Sequence, residues 1–367
     1  MKIAIVLNTS WNIYNFRLGL IRSLMNHGHE ITAVAPHDEY SQKLIDLGCN
    51  YEKVTMDSRG ANPIKDFGLT IELFRIYRRV RPDVILHFTV KPNIYGTFAA
   101  RLLNIPAINN VCGLGTVFLN GGIVSFIAKM LYKLAFRYPK TVLFQNYQDR
   151  DLFIDEKLIQ ENITELVPGS GINLKNFIPS ALPRNKKFTF LLISRLILDK
   201  GIFEFIGAIK KLNKRGIKAR YQVLGAIDEE HRRGIPAQVI NSWIEEGLIE
   251  YLGRVPDVRD YIKNADCIVL PSYREGTPRT LLEAASMARP IVTTNVAGCN
   301  NVVQDSYNGF LCNLMDSQDL ADTMEKMYKL SFEQRKSFGL KGRAHVEKIY
   351  NENIVIDKYK DLVNKVA

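Results

Sequence analysis

The sequence predicts an α/β protein built as two doubly wound, Rossmann-like domains facing across a cleft. Three observations carry this reading. Short apolar runs alternate with helix-period segments along the whole chain, the runs fall into two sets, and a polar break containing two prolines separates the sets. At 367 residues the chain also exceeds what one hydrophobic core ordinarily supports.

The first set of predicted strands covers residues 3–7, 30–35, 83–87, 106–111 and 141–145. The second covers residues 188–193, 220–224, 249–252, 267–270 and 290–294. Between them lies Ile178-Pro-Ser-Ala-Leu-Pro-Arg-Asn-Lys-Lys187, the predicted linker, so the domains are expected at 1–178 and 188–348, with a final helical segment at 349–367. Helix-period residues from Asp316 onward supply the remaining helices. Open parallel sheets bind ligands beyond the carboxyl ends of their strands, so two such sheets place a site between the domains.

Hydrophobic content of 46% and charged content of 24% are those of a globular protein. The cysteines, Cys49, Cys112, Cys267, Cys299 and Cys312, are odd in number, scattered and without a Cys-x-x-Cys pair, which argues against a disulfide framework and a zinc site and for a reducing cytosol. The apolar run at 3–7 is too short for a signal-peptide core and reads as a strand. The uncharged stretch 102–128 contains Asn104, Pro106, Asn109, Asn110, Asn120 and Gly121-Gly122, groups that a bilayer would leave unsatisfied, so it reads as strand, loop and helix start.

The net charge of +11 divides almost evenly between the halves of the chain. No zinc-finger spacing, recognition helix or basic tail accompanies it, and the aromatics are not interleaved with the cations, so a nucleic-acid partner is not expected. From Val84 to Gln148 there is no acidic residue. Within that stretch Lys129, Lys133 and Arg137 recur every fourth residue on the apolar segment 123–138. Such a helix can lie in an anionic membrane interface, or it can be a core helix whose cations keep one edge wet.

Residues 272–283, Ser-Tyr-Arg-Glu-Gly-Thr-Pro-Arg-Thr-Leu-Leu-Glu, read as a strand exit, a tight turn and a helix start with a carboxylate at each end. Pro278 suits the first helical position, where the amides of Arg279 to Leu281 and the helix dipole favour a phosphate. Glu275 is better placed against neutral sugar hydroxyls, and Glu283, eight residues on, can accept two hydrogen bonds from a ribose diol. An ordinarily capped, solvated helix also fits. Upstream, Ser194-Arg195-Leu-Ile-Leu-Asp-Lys200-Gly201 places two cations five residues apart at another strand exit. Arg195 can grip a diphosphate with a fork of donors and Lys200 can meet it as a point charge, although either alone also reads as a surface residue.

Arg195, Lys200, Glu275 and Glu283 together match the signature of the family-4 retaining glycosyltransferases of the GT-B fold, whose Glu-x7-Glu motif stands here as Glu275 to Glu283. The chain resembles that family from Met1 to its last helix. Its likeness is greatest to bacterial enzymes that pass an N-acetylhexosamine from UDP to a polyprenyl-diphosphate-linked sugar, such as alpha-1,3-N-acetylgalactosaminyltransferases of N-glycan and O-antigen assembly.

The resemblance implies that the C-terminal domain holds a UDP-sugar through Arg195, Lys200, Glu275, Gly276, Thr277, Pro278, Arg279 and Glu283, with Arg195, Lys200 and Glu275 at the reacting bond. It implies that the N-terminal domain offers a polyprenyl-diphosphate-linked glycan at an anionic membrane, with the protein on the inner face of the cell membrane. It implies retention by same-face attack with no metal or cofactor, and a last helix that crosses back to the first domain. Gly169-Ser170-Gly171 either lets backbone amides approach the donor or is a plain turn. Gly113-Leu-Gly115-Thr-Val-Phe118 lacks the third glycine of a dinucleotide fingerprint and reads as an acceptor-side loop. Asp149-Arg-Asp151 reads as a surface helix start and not as a metal site.

Two departures lie on the side of the cleft that selects the sugar. Cys112 stands where many relatives carry a histidine, and Asn8-Thr-Ser-Trp-Asn12 stands where many carry a Gly-Gly turn. Arg17 and Lys91 are candidates for the acceptor diphosphate, and His87, at a strand exit, either approaches the acceptor or is a structural histidine. Two other activities are conceivable: a UDP-N-acetylhexosamine 2-epimerase of the same fold, or a non-catalytic membrane scaffold.

Overall fold

The computed structural model describes residues 1–57, 63–114, 118 and 122–366. It divides into two compact units, Met1–Gly171 with Glu352–Ala367, and Ile172–Asn351. In the first, strands and helices alternate: β1 (Lys2–Val6), α1 (Ser10–Asn26), β2 (Glu30–Ala35), α2 (Ser41–Asp46), β3 (Asn50–Lys53), α3 (Pro63–Val80), β4 (Val84–Phe88), α4 (Thr97–Leu102), β5 (Ala107–Val111), α5 (Gly122–Ala135), β6 (Thr141–Phe144), α6 (Tyr147–Asp155) and β7 (Thr164–Leu166). A π-helical turn, Pro92–Gly96, precedes α4. The strands form one parallel sheet in the order β3-β2-β1-β4-β5-β6-β7.

The second unit repeats the plan with β8 (Phe188–Ile193), α7 (Ile202–Lys214), β9 (Ala219–Leu224), α8 (Ala237–Glu245), β10 (Glu250–Tyr251), α9 (Arg259–Asn264), β11 (Cys267–Leu270), α10 (Arg279–Ser286), β12 (Ile291–Thr294), α11 (Cys299–Val302), β13 (Gly309–Cys312), α12 (Ser317–Lys329) and α13 (Phe332–Ile349). Its parallel sheet runs β10-β9-β8-β11-β12-β13, so both sheets reverse direction beside their first strand. In each unit the fully buried strand residues, such as Ile3 and Ile5 of β1 or Phe190 and Leu192 of β8, pack under amphipathic helices.

The last helix, α14 (Glu352–Val366), belongs to the first unit, packing on α1. Val355, Tyr359, Leu362 and Val363 are buried in the same core as Ile3, Ile21 and Leu86. Asn110 Nδ2 donates to Tyr359 Oη at 2.7 Å, tying α14 to the end of β5.

The predicted break does not join the units. The chain leaves the first unit at Gly171, and Ile172, Leu174 and Phe177 already pack in the core of the second. Residues 178–187 lie on that unit: Arg289 donates to the carbonyls of Ser180 and Ala181, and Asn185 donates to Asn264 O and Asp266 Oδ2. Three strands were not predicted. β3 is polar and half exposed and β7 is three residues long, so neither presents an apolar run, and β13 offers only the short run Phe310-Leu311-Cys312 behind a glycine. Asp149 also departs from its reading, since it is fully buried in the N-terminal turn of α6, where its amide donates to Asn146 Oδ1 at 2.7 Å.

Candidate active site

The order of the second sheet reverses between β8 and β11, and ligands of such sheets sit at the carboxyl ends of the strands flanking that point. The two loops that leave these strands are laced together. Tyr273 N donates to Asp199 O at 2.9 Å and Ser272 Oγ to the same carbonyl at 3.1 Å. Arg233 Nε lies 2.5 Å from Asp199 Oδ1, and Tyr273 Oη donates to Glu204 Oε1 at 2.9 Å. Gly201, at φ +69, closes the short 3₁₀ turn Leu198–Lys200; a Cβ there would sit 2.0 Å from Pro271 O.

This lacing fixes a charged pair. Lys200 Nζ donates to Glu275 Oε1, and Ser272 Oγ donates to the same oxygen at 2.6 Å. Their side chains are only 20% and 14% exposed, so the pair interacts through a lower dielectric than a surface pair does. Glu275 N donates to Ala297 O at 3.1 Å. Gly298, at φ +84, lets the loop after β12 close over it; a Cβ there would sit 2.4 Å from Glu275 O. Arg195 stands two residues past the end of β8. Its side chain is 57% exposed and lies 4.0 Å from Asp228 Oδ2, a range at which its charge remains available.

Beyond the pair, Gly276 and Thr277 lead into α10. Pro278 is not the first helical residue; at φ −71 and ψ 111 it caps the helix, which begins at Arg279. Leu281 N bonds back to Pro278 O at 3.0 Å, so its amide is occupied and the helix end is tighter than predicted. Thr280 Oγ1 donates to Ile193 O at 3.0 Å and pins the helix start to the end of β8. Arg279 Nε donates to Glu283 Oε1 at 3.1 Å. Burial pushes the Glu283 carboxyl above its ordinary pKa, against the opposing pull of Arg279. The predicted donor residues of this unit thus lie along β8, β11 and the start of α10. Ser272, Asp199, Thr280 and Gly298, which position them, were not singled out in the sequence.

In the first unit the predicted acceptor residues separate into two kinds. His87 is fully buried, with Nε2 2.9 Å from Tyr77 Oη and Nδ1 2.9 Å from Asn109 Oδ1. Burial lowers its pKa to about 4. The π-helical turn covers it so closely that a Cβ on Gly96 would lie 2.5 Å from Nε2. Both ring nitrogens are occupied, so His87 is a structural residue and not a ligand contact. Lys91 is also corrected: Nζ donates to Asp66 Oδ1 at 2.6 Å in a largely buried pair, which takes up its charge. Arg17 and Cys112 lie together, Arg17 Nη2 standing 3.9 Å from Cys112 Sγ, and Gly113 follows at φ +124. Gly115 to Thr116-Val117 lie outside the described residues.

Gly169 and Gly171 adopt left-handed φ of +61 and +66, and their amides donate to Val167 O and Pro168 O within the turn. These two amides are therefore occupied within the loop itself, as in the plain turn that is one of the two sequence readings. On α5, Lys129 is paired with Glu156 Oε1 at 2.7 Å and removed from the predicted basic stripe, while Lys133 and, two residues past the helix end, Arg137 are exposed.

A family model described as "Glycosyl transferases group 1" matches residues 187–329, and one described as "Glycosyl transferase 4-like" matches residues 2–146. Together they span most of both units. The chain belongs to the family-4 glycosyltransferases. This glycosyltransferase is 29% identical, over 100% of its chain and 99% of the relative, to the N,N'-diacetylbacillosaminyl-diphospho-undecaprenol alpha-1,3-N-acetylgalactosaminyltransferase of Campylobacter jejuni. It is 25% identical to the UDP-Gal:alpha-D-GlcNAc-diphosphoundecaprenol alpha-1,3-galactosyltransferase of Escherichia coli, over 83% of its chain and 81% of that relative. Among solved structures it matches the sucrose-phosphate synthase of Thermosynechococcus elongatus at a TM-score of 0.83 and 17% identity, covering 100% of this chain and 99% of that one. It matches Anabaena HepE in complex with UDP and glucose at a TM-score of 0.80 and 16% identity, covering 99% of each chain. The glycosyltransferase therefore has the GT-B fold. Among its described residues, no helix is long and apolar enough to cross a membrane.

Proposed function

We propose that this glycosyltransferase moves an N-acetylhexosamine, GalNAc in the first instance, from its UDP conjugate to a polyprenyl-diphosphate-linked glycan in bacterial surface polysaccharide, O-antigen or N-glycan assembly. The observation that carries the reading is the Lys200–Glu275 pair at the switch point of the second sheet, with Arg195 beside it, in a chain whose end-to-end relative acts on an undecaprenyl-diphosphate-linked sugar. A diphosphate entering that crevice meets Arg195, Lys200 and the start of α10, which replace the water that would otherwise solvate the leaving group. Glu275, freed in part from Lys200, then accepts hydrogen bonds from the sugar hydroxyls. Glu283, held by Arg279 in a buried setting, takes the ribose diol.

The family resemblance supplies the stereochemistry. The bond from the anomeric carbon to the UDP oxygen breaks, the acceptor oxygen bonds to the same face, and the acceptor's proton passes to the departing phosphate. Charge growing on that phosphate is met by the Arg195 and Lys200 side chains, so the reading requires no metal or cofactor in this step.

The outer face of α5 fits a lipid-linked acceptor. Ile123 is 78% exposed and Phe126 69%, with Val124, Ile127, Met130 and Leu134 also exposed, and Lys133 and Arg137 stand beside them. That combination seats a helix in the interface of an anionic membrane, apolar side chains toward the acyl region and cations at the headgroups. It supports a peripheral position on the cytoplasmic face of the cell membrane.

Incubation with a panel of UDP-sugars and lipid-diphosphate glycans, read by product mass and by the anomeric coupling of the new linkage, tests the proposal. A product larger by one N-acetylhexosamine with an alpha linkage is expected. Absence of transfer from every UDP-sugar, or a beta product from an alpha donor, refutes it.

A further inference from the structure

The carboxyl edge of the first sheet holds a cation that no neighbour neutralises. Arg17 is only 5% exposed. Its guanidinium lies 4.2 Å over the Phe88 ring, Nη2 has only the Cys112 thiol at 3.9 Å, and Nε is buried without a hydrogen-bond partner. Among the described residues no carboxylate pairs with it. A buried guanidinium in this condition is costly, because ring and thiol replace little of the lost hydration.

Its position is as informative as its isolation. α1 follows β1 directly, and helical side chains lean toward the helix N-terminus, so Arg17 reaches up to the carboxyl edge at the last residue of β4. β1 and β4 are the strands between which this sheet reverses. The residue after Phe88 is Thr89, a β-branched residue held at φ +67, whose buried Oγ1 has no hydrogen-bond partner. That conformation is strained for threonine, and strain of this kind persists where surrounding structure enforces it, often at ligand sites. The π-helical turn Pro92–Gly96 begins three residues later. An unsatisfied fork of donors and an unsatisfied hydroxyl thus mark the same switch point, and both can donate to phosphate oxygens.

We propose that Arg17 and Thr89 form the subsite that grips a phosphate of the lipid-linked acceptor, an inference that rests on the function proposed above. Arg17 donates through its free N–H groups to the phosphate oxygens and Thr89 Oγ donates to the same group. Lys91 and His87 take no part, since Asp66 holds the one and Tyr77 and Asn109 hold the other.

Farnesyl diphosphate, titrated into the full-length protein in saturating UDP so that the nucleotide occupies its own site, is the probe. Wild type is expected to bind it, Arg17→Met to bind at least tenfold more weakly, Arg17→Lys to recover part of the loss, and Thr89→Val to weaken it several-fold, all with unchanged UDP affinity. Ligand-free Arg17→Met is expected to melt no lower than wild type, since an uncompensated charge has been removed; a merely structural arginine would give a lower melting temperature. If Arg17→Met and Thr89→Val bind farnesyl diphosphate as wild type does, while wild type transfers sugar to lipid diphosphates, the subsite is refuted and the function stands. If wild type neither binds the probe nor transfers sugar, the function fails and takes the subsite with it.

Discussion

Lys200 donates to Glu275 from one strand exit to the next, so the lysine nearest the switch point of the second sheet carries a carboxylate in the unliganded protein. In the function proposed above, a bound diphosphate draws that lysine away, and Glu275, still held by Ser272 Oγ, turns toward the sugar hydroxyls. On that proposal the pair couples phosphate binding to sugar binding.

Lys200→Ala is expected to lower turnover ten- to two-hundred-fold, about 1.5–3 kcal/mol of transition-state stabilisation, because a charge-assisted contact to the leaving group disappears. Steady-state kinetics with the preferred UDP-sugar reads this directly. Turnover equal to wild type would remove Lys200 from the reaction.

Gly201→Ala and Gly298→Ala both place a methyl group into a carbonyl at a left-handed backbone, against Pro271 O and Glu275 O respectively. Each is expected to destabilise the protein by about 2 kcal/mol or more and to weaken UDP binding. Urea unfolding and calorimetry on the two variants measure both effects. Wild-type values would mean that these loops yield without disturbing the pair.

Phe126→Asp combined with Lys133→Glu is expected to abolish sedimentation with vesicles containing phosphatidylglycerol while leaving the circular dichroism unchanged. Lys129→Glu alone should act differently, since it breaks the pair with Glu156 and is read as a loss of stability. Retention of the double variant on vesicles would locate any membrane contact elsewhere.

His87 predicts an acid-sensitive fold. Burial holds its folded pKa near 4 against an ordinary value of 6.5, so the unfolded chain takes up a proton that the folded one refuses. Stability from this residue is unaffected above pH 6.5 and falls as the pH drops from 6.5 toward 4, by up to about 3 kcal/mol. Urea titrations of wild type and His87→Gln across that range should show a steeper loss in wild type. Parallel slopes would contradict the assignment.

Among the described residues Arg289 is the largest fully buried side chain, and its guanidinium donates to Ile262 O, Ser180 O and Oγ, Met287 O, Ala288 O, Ala181 O and Lys263 O. Burial lowers its pKa to about 10, which leaves it charged at neutral pH. Arg289→Met strands those carbonyls and is expected to cost about 3–5 kcal/mol in chemical denaturation. A change below 1 kcal/mol would show that water replaces the side chain at little expense.

The alternation of apolar runs and helical segments made the fold legible, since strands buried on both faces announce themselves by composition. β2, β8 and β11 have the predicted bounds, whereas β3, with the sequence Asn-Tyr-Glu-Lys at a sheet edge, carries no such mark. In the site, Arg195, Lys200 and the two glutamates stood out because cations and carboxylates at strand exits form a local pattern. Side-chain partners from distant segments left no such trace. Asp66 lies 25 residues before Lys91, and Asn109 lies 22 residues after His87, so pairing and burial were invisible in sequence. The domain break was misplaced for a related reason: a Pro-rich stretch reads as a linker until the arginine that straps it down, more than a hundred residues later, is seen.

Because α14 supplies Tyr359, Val355 and Leu362 to the core around β1 and β4, the first unit cannot finish folding when its own first 171 residues have left the ribosome. The intervening unit, contiguous in sequence, can close first. During synthesis the apolar surface beside α1 that receives Val355, Tyr359 and Leu362 stays uncovered until the chain returns.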